Sequence, residues 1–217
     1  AKKISVTFSE TARAFPLHKT IVVGGMVRSS IRLGSKQTAR ALYGFDEKKP
    51  TVLIMGGGTG ALAINVAVVA MRAELVRRAN VLHLVGRGKM LANLEAPLAG
   101  YVALEFLHEG MADALALADM VVCRAGLGTI CELVALGKPS VIIPIDNAFQ
   151  RTNAQRLVDH EAAEVLWHVT PQLLLATIRN LLENSARRVT LSANIRSLFP
   201  SNGDDRIVHE VCIILQK

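Results

Sequence analysis

The chain has 217 residues, of which 51% are hydrophobic and 20% are charged, and its formal net charge is +7. This length and composition suit one large domain or two small ones with a well-buried core. The three cysteines lack C-x-x-C spacing, which argues against a disulfide framework or a zinc site and favours a reducing cytoplasm.

The predicted elements alternate between strands and helices. Two short strands are expected in the opening segment, at residues 4–8 and 20–23. From residue 51 onward, aliphatic runs typical of buried parallel strands occupy residues 51–55, 80–85, 101–106, 119–123, 140–145 and 163–167. Helical patterns follow the first five runs, at about residues 61–78, before Pro97, and at 111–118, 129–137 and about 150–160.

The last third of the chain carries clear helix boundaries. Gly137 is the predicted C-cap of the helix over 129–137. Thr170 and Pro171 form an N-cap followed by proline at the first helical position, and two more helical stretches close the chain. Five or six β–α units in sequence predict an α/β fold with a doubly wound, Rossmann-like parallel sheet and right-handed crossovers.

The apolar stretch over residues 51–71 is long enough to be tested as a membrane span. Its centre contains four glycines within residues 56–60, and Asn65 follows them. Such a cluster indicates a strand, a turn and a helix, so we reject the membrane span.

Two glycine-rich turns follow strands of the predicted sheet. The first reads GGGTGA (residues 56–61), and the second reads RAGLGT (residues 124–129). In a doubly wound sheet, ligands bind beyond the carboxyl ends of the strands, where helix N-termini offer free N–H groups and a partial positive charge. Glycines let the backbone approach a ligand closely, so both turns are candidate phosphate-binding sites.

The first turn leaves two interpretations open. It fits the dinucleotide fingerprint G-x-G-x-x-A, which alone is a weak signal. That fingerprint requires an acidic residue about twenty positions later, whereas the next strand here ends in Val85, Gly86 and Arg87. Because Arg87 is suited to a 2′-phosphate, an NADP-dependent oxidoreductase remains an alternative.

Glu132 lies about one turn inside the helix that follows the second turn. A carboxylate at this position is able to accept hydrogen bonds from both ribose hydroxyls while the N–H groups ahead of it contact a diphosphate. Each such bond is worth about 1.5–3 kcal/mol, compared with about 0.3–1 kcal/mol for a carboxylate that only complements the helix dipole. Both interpretations of Glu132 stay open, and the adjacent Arg-Ala-Gly favours ribose binding.

Several ordered motifs resemble one enzyme family. They are FSETARAFP followed by VVGGMVR, then IMGGGTGA, the long stretch from FLHEG to VIIP, and FQRTNA. Together they resemble the C-terminal half of the MurG-like UDP-GlcNAc:lipid I N-acetylglucosaminyltransferases, which have the GT-B fold and belong to glycosyltransferase family 28. The resemblance covers nearly the full chain.

The resemblance implies two parts and a set of donor-binding residues. Residues 1–27 correspond to the end of the N-terminal domain and the hinge, and residues 28–217 to the donor-binding domain with its C-terminal helices. The implied contacts with UDP-GlcNAc are Arg28 at the diphosphate; Gly57, Gly58, Thr59 and Gly60 in the first turn; Leu107 and Met111 near uracil; Arg124, Ala125, Gly126, Leu127, Gly128 and Thr129 in the second turn; Glu132 at the ribose; and Gln150 and Asn153 at the sugar.

The resemblance also implies how such an enzyme works. Transfer inverts the anomeric centre, uses UDP-GlcNAc as substrate, and needs neither a cofactor nor a bound metal. The lipid-linked acceptor and the catalytic base belong to an N-terminal half that is missing from this sequence, so the chain alone is expected to be inactive. The implied location is cytoplasmic and peripheral to the inner face of the cell membrane, and no nucleic-acid partner is expected.

No catalytic residue is assigned within the chain. His108 lies in the FLHEG loop, where a solvated loop residue is the favoured interpretation, and His83 within a strand is interpreted as a core residue. Two departures from the family pattern stand out. Gly25 and Met26 replace the usual Asn-Pro of the hinge, which predicts a looser turn, and the apolar Phe149 replaces a polar residue beside Gln150, which leaves the sugar selectivity open.

A third function class is a non-catalytic nucleotide-sugar-binding module.

The distribution of charge adds one more open question. Residues 1–49 contain ten Lys and Arg against three Asp and Glu, whereas residues 50–217 contain fifteen of each. The basic opening segment is either an ordinary solvated surface or a patch that faces an anionic membrane or another acidic partner.

Overall fold

The computed structural model describes residues 1–56 and 61–216. The described strands are β1 (Ile4–Val6), β2 (Thr20–Val22), β3 (Thr51–Met55), β4 (Asn80–Leu84), β5 (Tyr101–Leu104), β6 (Met120–Cys123), β7 (Ser140–Ile142) and β8 (Glu164–Val165). The described α-helices are α1 (Ser9–Ala12), α2 (Lys36–Tyr43), α3 (Leu62–Leu75), α4 (Ala92–Glu95), α5 (Met111–Leu117), α6 (Leu127–Leu136), α7 (Ala148–Asp159), α8 (Pro171–Glu183), α9 (Ser185–Ser197) and α10 (Gly203–Leu215). Short 3₁₀ segments cover Leu17–Lys19 and Ser29–Leu33.

The main sheet has six parallel strands in the order β5-β4-β3-β6-β7-β8. The chain first builds outward from β3 to β5, and then returns to place β6 on the other side of β3. This order confirms the predicted doubly wound, Rossmann-like sheet. The direction of winding reverses between β3 and β6, and such a reversal opens a crevice at the carboxyl ends of the two strands.

Alternate residues of each central strand pack on opposite faces of the sheet. On β3, Leu53 and Met55 belong to a core cluster that includes buried residues of α5 and α6. Val52 and Ile54 face the other way, into a cluster with buried residues of α3 and α8. Since both faces are covered by helices, the strands are aliphatic throughout, as the sequence pattern indicates.

The opening segment pairs with itself and packs against the end of the chain. Strands β1 and β2 form a separate parallel pair. The Gly25 N–H donates to the Pro200 carbonyl at 2.9 Å, and the Gly203 N–H donates to the Gly25 carbonyl at 3.0 Å. A β-carbon on Gly24, whose φ is +84°, would lie 1.9 Å from the Pro200 oxygen. Glycine thus permits a tight contact between the hinge and the end of the chain, and the looser turn expected from Gly25 and Met26 stays a prediction.

Helix α2, like the four-residue α1, is a helix of the opening segment that the pattern analysis does not predict. The Ser35 hydroxyl accepts from the Thr38 N–H at its start, and Gly44 ends it with a left-handed φ of +63°. The Ser35 N–H also donates to Asp113 on α5 at 2.7 Å. Serine at the start and glycine at the end are ordinary helix signals.

Other boundaries agree with the prediction within a few residues. Gly137 ends α6 in the left-handed conformation, and the Thr170 hydroxyl caps α8 by accepting from the Leu173 N–H. Strand β7 stops at Ile142, shortly before Pro144, and is shorter than predicted because proline lacks the N–H that a strand ladder requires.

The apolar stretch that was considered as a membrane span contains β3 and most of α3. Among the described residues, no helix combines the length and the apolar character that a membrane crossing requires.

His83 occupies the core, as predicted. The ring is fully buried on β4, where Nδ1 lies 2.6 Å from the Tyr101 hydroxyl and Nε2 lies 3.1 Å from Asn65 Oδ1. Because the Asn65 amide nitrogen donates to the Val85 carbonyl at 2.9 Å, its oxygen must accept from Nε2. The network joins α3 to the carboxyl end of β4, and burial lowers the pKa of His83 to about 4.

Candidate functional site

The two strands that lead into the glycine-rich turns end at the same edge of the sheet. Strands β3 and β6 are paired in parallel, with Leu53 opposite Val121 and Ile54 opposite Val122. The chain therefore leaves β3 and β6 at neighbouring points of the sheet, where the winding direction reverses. The predicted first-turn residues Gly57, Gly58, Thr59 and Gly60 lie outside the described residues.

The second turn is short and leads directly into α6. Helix α6 begins at Leu127, slightly earlier than the predicted start near Gly128 and Thr129, and Gly126 is its N-cap. Gly126 has a φ of −72°, so a left-handed conformation is not the reason for glycine at this position. Among the described residues, a β-carbon on Gly126 or Gly128 would meet no atom within 4 Å. The glycines thus leave open space beside the helix N-terminus, as a phosphate site requires.

The first turn of α6 is open to a ligand. Glycine at the N-cap offers no side-chain acceptor, and within the described chain no side chain caps this helix. Leu127 and Gly128 are exposed, and Thr129 is half-buried. The first N–H groups of a helix have no partner inside it, and they lie at its positive end. This end of α6 therefore offers several donors to an anion.

Two side chains from α7 hold the second turn in place. The Gln150 side-chain oxygen accepts hydrogen bonds from the backbone N–H groups of Ala125 at 3.1 Å and Ile145 at 3.2 Å. The Asn153 side-chain nitrogen donates to the Ala125 carbonyl at 3.1 Å. Both polar groups of the buried Ala125 backbone are thereby paired, so the position of α7 determines the position of the turn.

Arg124 also supports the turn rather than projecting freely. Its guanidinium donates to the carbonyl of Ile143 at 3.0 Å and more weakly to that of Pro144 at 3.4 Å. Its Nε is buried and has no hydrogen-bond partner among the described residues. Burial lowers the pKa of Arg124. The guanidinium links the ends of β6 and β7 and brings a positive charge to this edge of the sheet.

A cavity of about 600 Å³ opens between the second turn and α7. Five of the predicted donor-binding residues line it together: Ala125, Gly126, Leu127, Gln150 and Asn153. The other lining residues include Asn147, Phe149 and Arg156. The structure thus brings together residues from two segments, 125–127 and 150–153, that are 23 or more positions apart in the sequence. Phe149 is 84% exposed, so the mouth of the cavity has an apolar side.

Glu132 and Arg28 approach each other beside this turn. Glu132 is half-buried on α6, and burial raises the pKa of its carboxyl while the nearby Arg28 partly opposes that rise. Arg28 is exposed at the start of the 3₁₀ segment Ser29–Leu33. The hinge packs on α6, since a β-carbon at Gly25 would lie 2.8 Å from Cys131 Sγ. Hinge packing therefore places the Arg28 cation near the candidate ribose carboxylate.

Leu107 lies in the loop after β5, and Met111 is the first residue of α5. Both are half-buried and pack against the core cluster on the α5–α6 side of the sheet. Gly110 precedes Met111 with a φ of +81°, which turns the chain into α5. The two residues do not line the 600 Å³ cavity, and their assignment near uracil stays a prediction.

One stacked group at the carboxyl edge escaped the sequence analysis. The guanidinium carbon of Arg87 lies 4.5 Å from the centre of the Phe106 ring. The ring of the exposed His108 meets the same phenyl ring edge-on at 5.1 Å. Arg87 and Phe106 follow different strands, so only the pairing of β4 with β5 brings them together. No local sequence pattern predicts this contact.

The sheet order and the cavity beside the second turn together define a Rossmann-like domain with a candidate ligand site at its carboxyl edge. Comparisons with known proteins then identify the family. The sequence model of the glycosyltransferase family 28 C-terminal domain matches residues 51–207, and the chain belongs to this family.

Curated relatives and solved structures agree with this assignment. The chain is 37% identical over 187 residues to a UDP-N-acetylglucosamine–N-acetylmuramyl-(pentapeptide) pyrophosphoryl-undecaprenol N-acetylglucosamine transferase of Lachnospira eligens, covering 83% of this chain and 52% of the relative. It is 38% identical over 193 residues to the protein of the same name from Geobacillus thermodenitrificans, with coverages of 86% and 54%. The crystal structure of Acinetobacter baumannii MurG superimposes with a TM-score of 0.69 at 25% identity, covering 96% of this chain and 60% of that one.

A more distant structure shares the fold alone. UDP-GlcNAc 2-epimerase from Neisseria meningitidis, bound to UDP-GlcNAc, has a TM-score of 0.68 at 14% identity, covering 93% of this chain and 57% of that one. The chain spans about half the length of the curated relatives that it matches.

Proposed function

We propose that this chain binds UDP-GlcNAc as the donor half of an inverting N-acetylglucosaminyltransferase that acts on a lipid-linked acceptor of the lipid I type. The observation that carries the proposal is the cavity at the second turn, where the uncapped start of α6 lies beside Gln150 and Asn153. The names of the curated relatives give the donor and acceptor of those proteins. Membership of the family makes the same substrate classes the natural candidates here.

Each group at the cavity has a chemical task in this proposal. The N–H groups at the start of α6 bind the diphosphate and stabilise the negative charge that develops on it when the bond to the sugar breaks. Arg28 adds a positive charge on the hinge side. The Glu132 carboxylate accepts hydrogen bonds from the ribose hydroxyls, which favours a ribonucleotide over its deoxy analogue.

The hydrogen bonds within the site also define what remains for the sugar. The Gln150 oxygen and the Asn153 nitrogen already bind the Ala125 backbone. Gln150 therefore has its two amide N–H donors left, and Asn153 has its carbonyl oxygen as an acceptor. A sugar hydroxyl both donates and accepts, so this pair matches two neighbouring hydroxyls of a hexose.

The acceptor side is assigned to the N-terminal half of the enzyme. Attack by the acceptor hydroxyl requires a base that removes its proton, and we assign that base to the N-terminal half. We propose that the chain transfers no sugar until this half is supplied, and that the assembled enzyme acts at the cytoplasmic face of the membrane, where a lipid-linked acceptor lies.

Calorimetric titration tests donor binding directly. We expect UDP-GlcNAc to bind and NADPH not to bind. Tight NADPH binding without UDP-GlcNAc binding would instead establish the oxidoreductase alternative. A transfer assay with a soluble lipid I analogue, with and without the N-terminal half of a relative, separates an enzyme from a binding module. Donor binding without transfer under both conditions would support the non-catalytic module.

A further inference from the structure

A second cleft, of about 640 Å³, opens at the opposite edge of the sheet from the donor site. Its floor includes Pro50, Asp119 and Pro139, which directly precede β3, β6 and β7. Its walls are α2 with the loop that follows it on one side, and α9 on the other. The amino ends of the strands meet here, so a ligand in this cleft cannot contact the turn at Ala125 and Gly126.

Positive charge dominates the lining of this cleft. The lining contains six cations and two carboxylates, which are Lys36, Arg40, Lys48, Lys49, Arg188 and Arg196 against Glu47 and Asp119. Four of the six cations come from residues 1–49, the segment that holds the excess charge of the chain. The fold gathers these cations with two arginines of α9, which are more than 130 positions away in sequence.

Ion pairs neutralise little of this charge. Lys36 pairs with Asp119 at 3.2 Å, and the other Asp119 oxygen accepts from the Thr51 N–H at 2.8 Å. Lys49 donates to a backbone carbonyl at 2.8 Å, as Arg188 and Arg196 also do. A carbonyl satisfies a donor but carries no net charge, and within the described part of the chain these three cations have no ion-pair partner.

Arg40 and Lys48 have no ion-pair partner among the described residues. The Nε of Arg40 is buried and has no hydrogen-bond partner in the described ranges, which is costly unless a ligand provides an acceptor. The accumulation of positive charge extends beyond the lining to Lys138, whose ammonium group donates to the carbonyls of Ala116 and Ala118. Burial lowers the pKa of Lys138 to about 8; Asp119 opposes this shift, and repulsion from Lys36 and Arg196 adds to it.

From this arrangement we infer that the cleft is a binding site for a phosphate-bearing anion, separate from the donor site. Arginine forks and lysine ammonium groups at a concave surface bind phosphate oxygens through charged hydrogen bonds. Arg40 and Lys48 are the groups that contact the anion. The phosphate comes either from a small free compound, such as a diphosphate, or from the headgroup of an anionic lipid.

Titration of the isotopically labelled protein with inorganic diphosphate, followed by amide NMR, tests the site. We expect shifts at residues 36–49 and 185–196, whether or not the donor site also binds the probe. The location of the shifts thus separates this inference from the proposed function. Shifts confined to residues 124–153, or no binding at all to diphosphate or to anionic vesicles, would overturn the inference.

A charge-matched pair of variants excludes a general electrostatic effect. The Arg40→Gln/Lys48→Gln double variant is expected to bind diphosphate about tenfold more weakly or worse, the effect of losing at least one charged hydrogen bond. The control is Arg77→Gln/Arg179→Gln, which removes the same charge from exposed residues outside the cleft. Equal weakening in both double variants would contradict a specific site. Circular dichroism checks that the first double variant folds. If it does not fold, the location of the amide shifts in the unaltered protein still tests whether diphosphate binds in the cleft.

Co-sedimentation with vesicles identifies the source of the phosphate. Binding to phosphatidylglycerol–phosphatidylcholine vesicles but not to phosphatidylcholine alone, with sensitivity to the Arg40→Gln/Lys48→Gln change, assigns the cleft to lipid headgroups. Diphosphate binding without vesicle binding assigns it to a free phosphate compound.

Discussion

The side-chain oxygen of Gln150 accepts a hydrogen bond from the backbone N–H of Ala125 at a distance of 3.1 Å. This bond joins the first turn of α7 to the turn that precedes α6, and Ala125 is fully buried. A residue that resembles a family's sugar-contacting glutamine thus also supports the second glycine-rich turn. Its effect on ligand binding is expected to have two sources, contact with the sugar and position of the turn.

Replacement of Gln150 by alanine is expected to destabilise the fold as well as the complex. It leaves the buried N–H of Ala125 without a partner, which costs about 1–3 kcal/mol. Urea denaturation and calorimetry with UDP-GlcNAc measure the two effects. Gln155→Ala on the exposed side of the same helix is the matched control and is expected to change the free energy of unfolding by less than about 0.5 kcal/mol. Normal stability with weaker binding would show that Gln150 acts only on the sugar.

Glu132→Gln is expected to weaken UDP-GlcNAc binding by about 1–3 kcal/mol, because a neutral amide is a poorer acceptor for the ribose hydroxyls than a carboxylate. Burial raises the pKa of Glu132, so the unaltered protein should lose affinity as the pH falls toward that raised pKa. The variant should show no such loss. Calorimetric titrations across a pH series measure both effects, and Glu74→Gln on exposed α3 surface is the control. Unchanged affinity in Glu132→Gln would show that this carboxylate does not bind the ribose and only complements the helix dipole.

Gly128→Ala should separate binding from folding. Alanine inside a helix is about 0.5–1 kcal/mol more favourable than glycine, and a β-carbon at this position meets nothing within 4 Å. We therefore expect a slightly more stable protein that binds UDP-GlcNAc about tenfold more weakly, since one extra methyl group would occupy space needed by the ligand.

Gly44→Ala is the complementary control for this prediction. Gly44 has a φ of +63° at the end of α2, where alanine costs about 1–2 kcal/mol, but it lies outside the donor cavity. Its expected profile is reduced stability with unchanged affinity. Thermal unfolding and calorimetry on both variants would reveal the opposite patterns. Retained affinity in Gly128→Ala would mean that the start of α6 does not approach the diphosphate.

Buried His83 is expected to make the fold sensitive to mild acid. The pKa of His83 is about 4 in the folded protein, below the ordinary value of 6.5. At a pH above 6.5 neither state is protonated, but as the pH falls toward 4 the unfolded chain takes up a proton that the folded chain excludes. This difference should remove about 3 kcal/mol from the free energy of unfolding.

The measurement is urea denaturation between pH 7 and pH 4 for the unaltered protein, His83→Gln and the exposed control His18→Gln. The His83 variant should lose less stability over this range, while the control should follow the unaltered protein. Parallel curves for all three proteins would show that His83 contributes nothing to the pH dependence. The comparison holds even if His83→Gln is less stable at pH 7, because the slope is what matters.

The alternating pattern of the sequence determined the class of fold. Buried parallel strands must be aliphatic along their whole length, so a run such as TVLIM (51–55) is recognisable from its own residues. The end of the helix capped by Gly137 is likewise predicted by local sequence. The family motifs likewise mark their residues one by one. Helix α2 has equally local signals in Ser35 and Gly44, and the pattern analysis missed them because its eight residues are mostly polar or alternate irregularly.

The tertiary structure decided what depends on pairing across distance. Which side chain holds the turn at Ala125, how Arg28 comes near Glu132, and why Arg40 shares a cleft with Arg188 all follow from strand order and helix packing. The basic opening segment shows the difference well. Its charge is plain in the sequence, but side chains that are distant along the chain meet only after folding, because the sheet brings the amino ends of its strands to one edge.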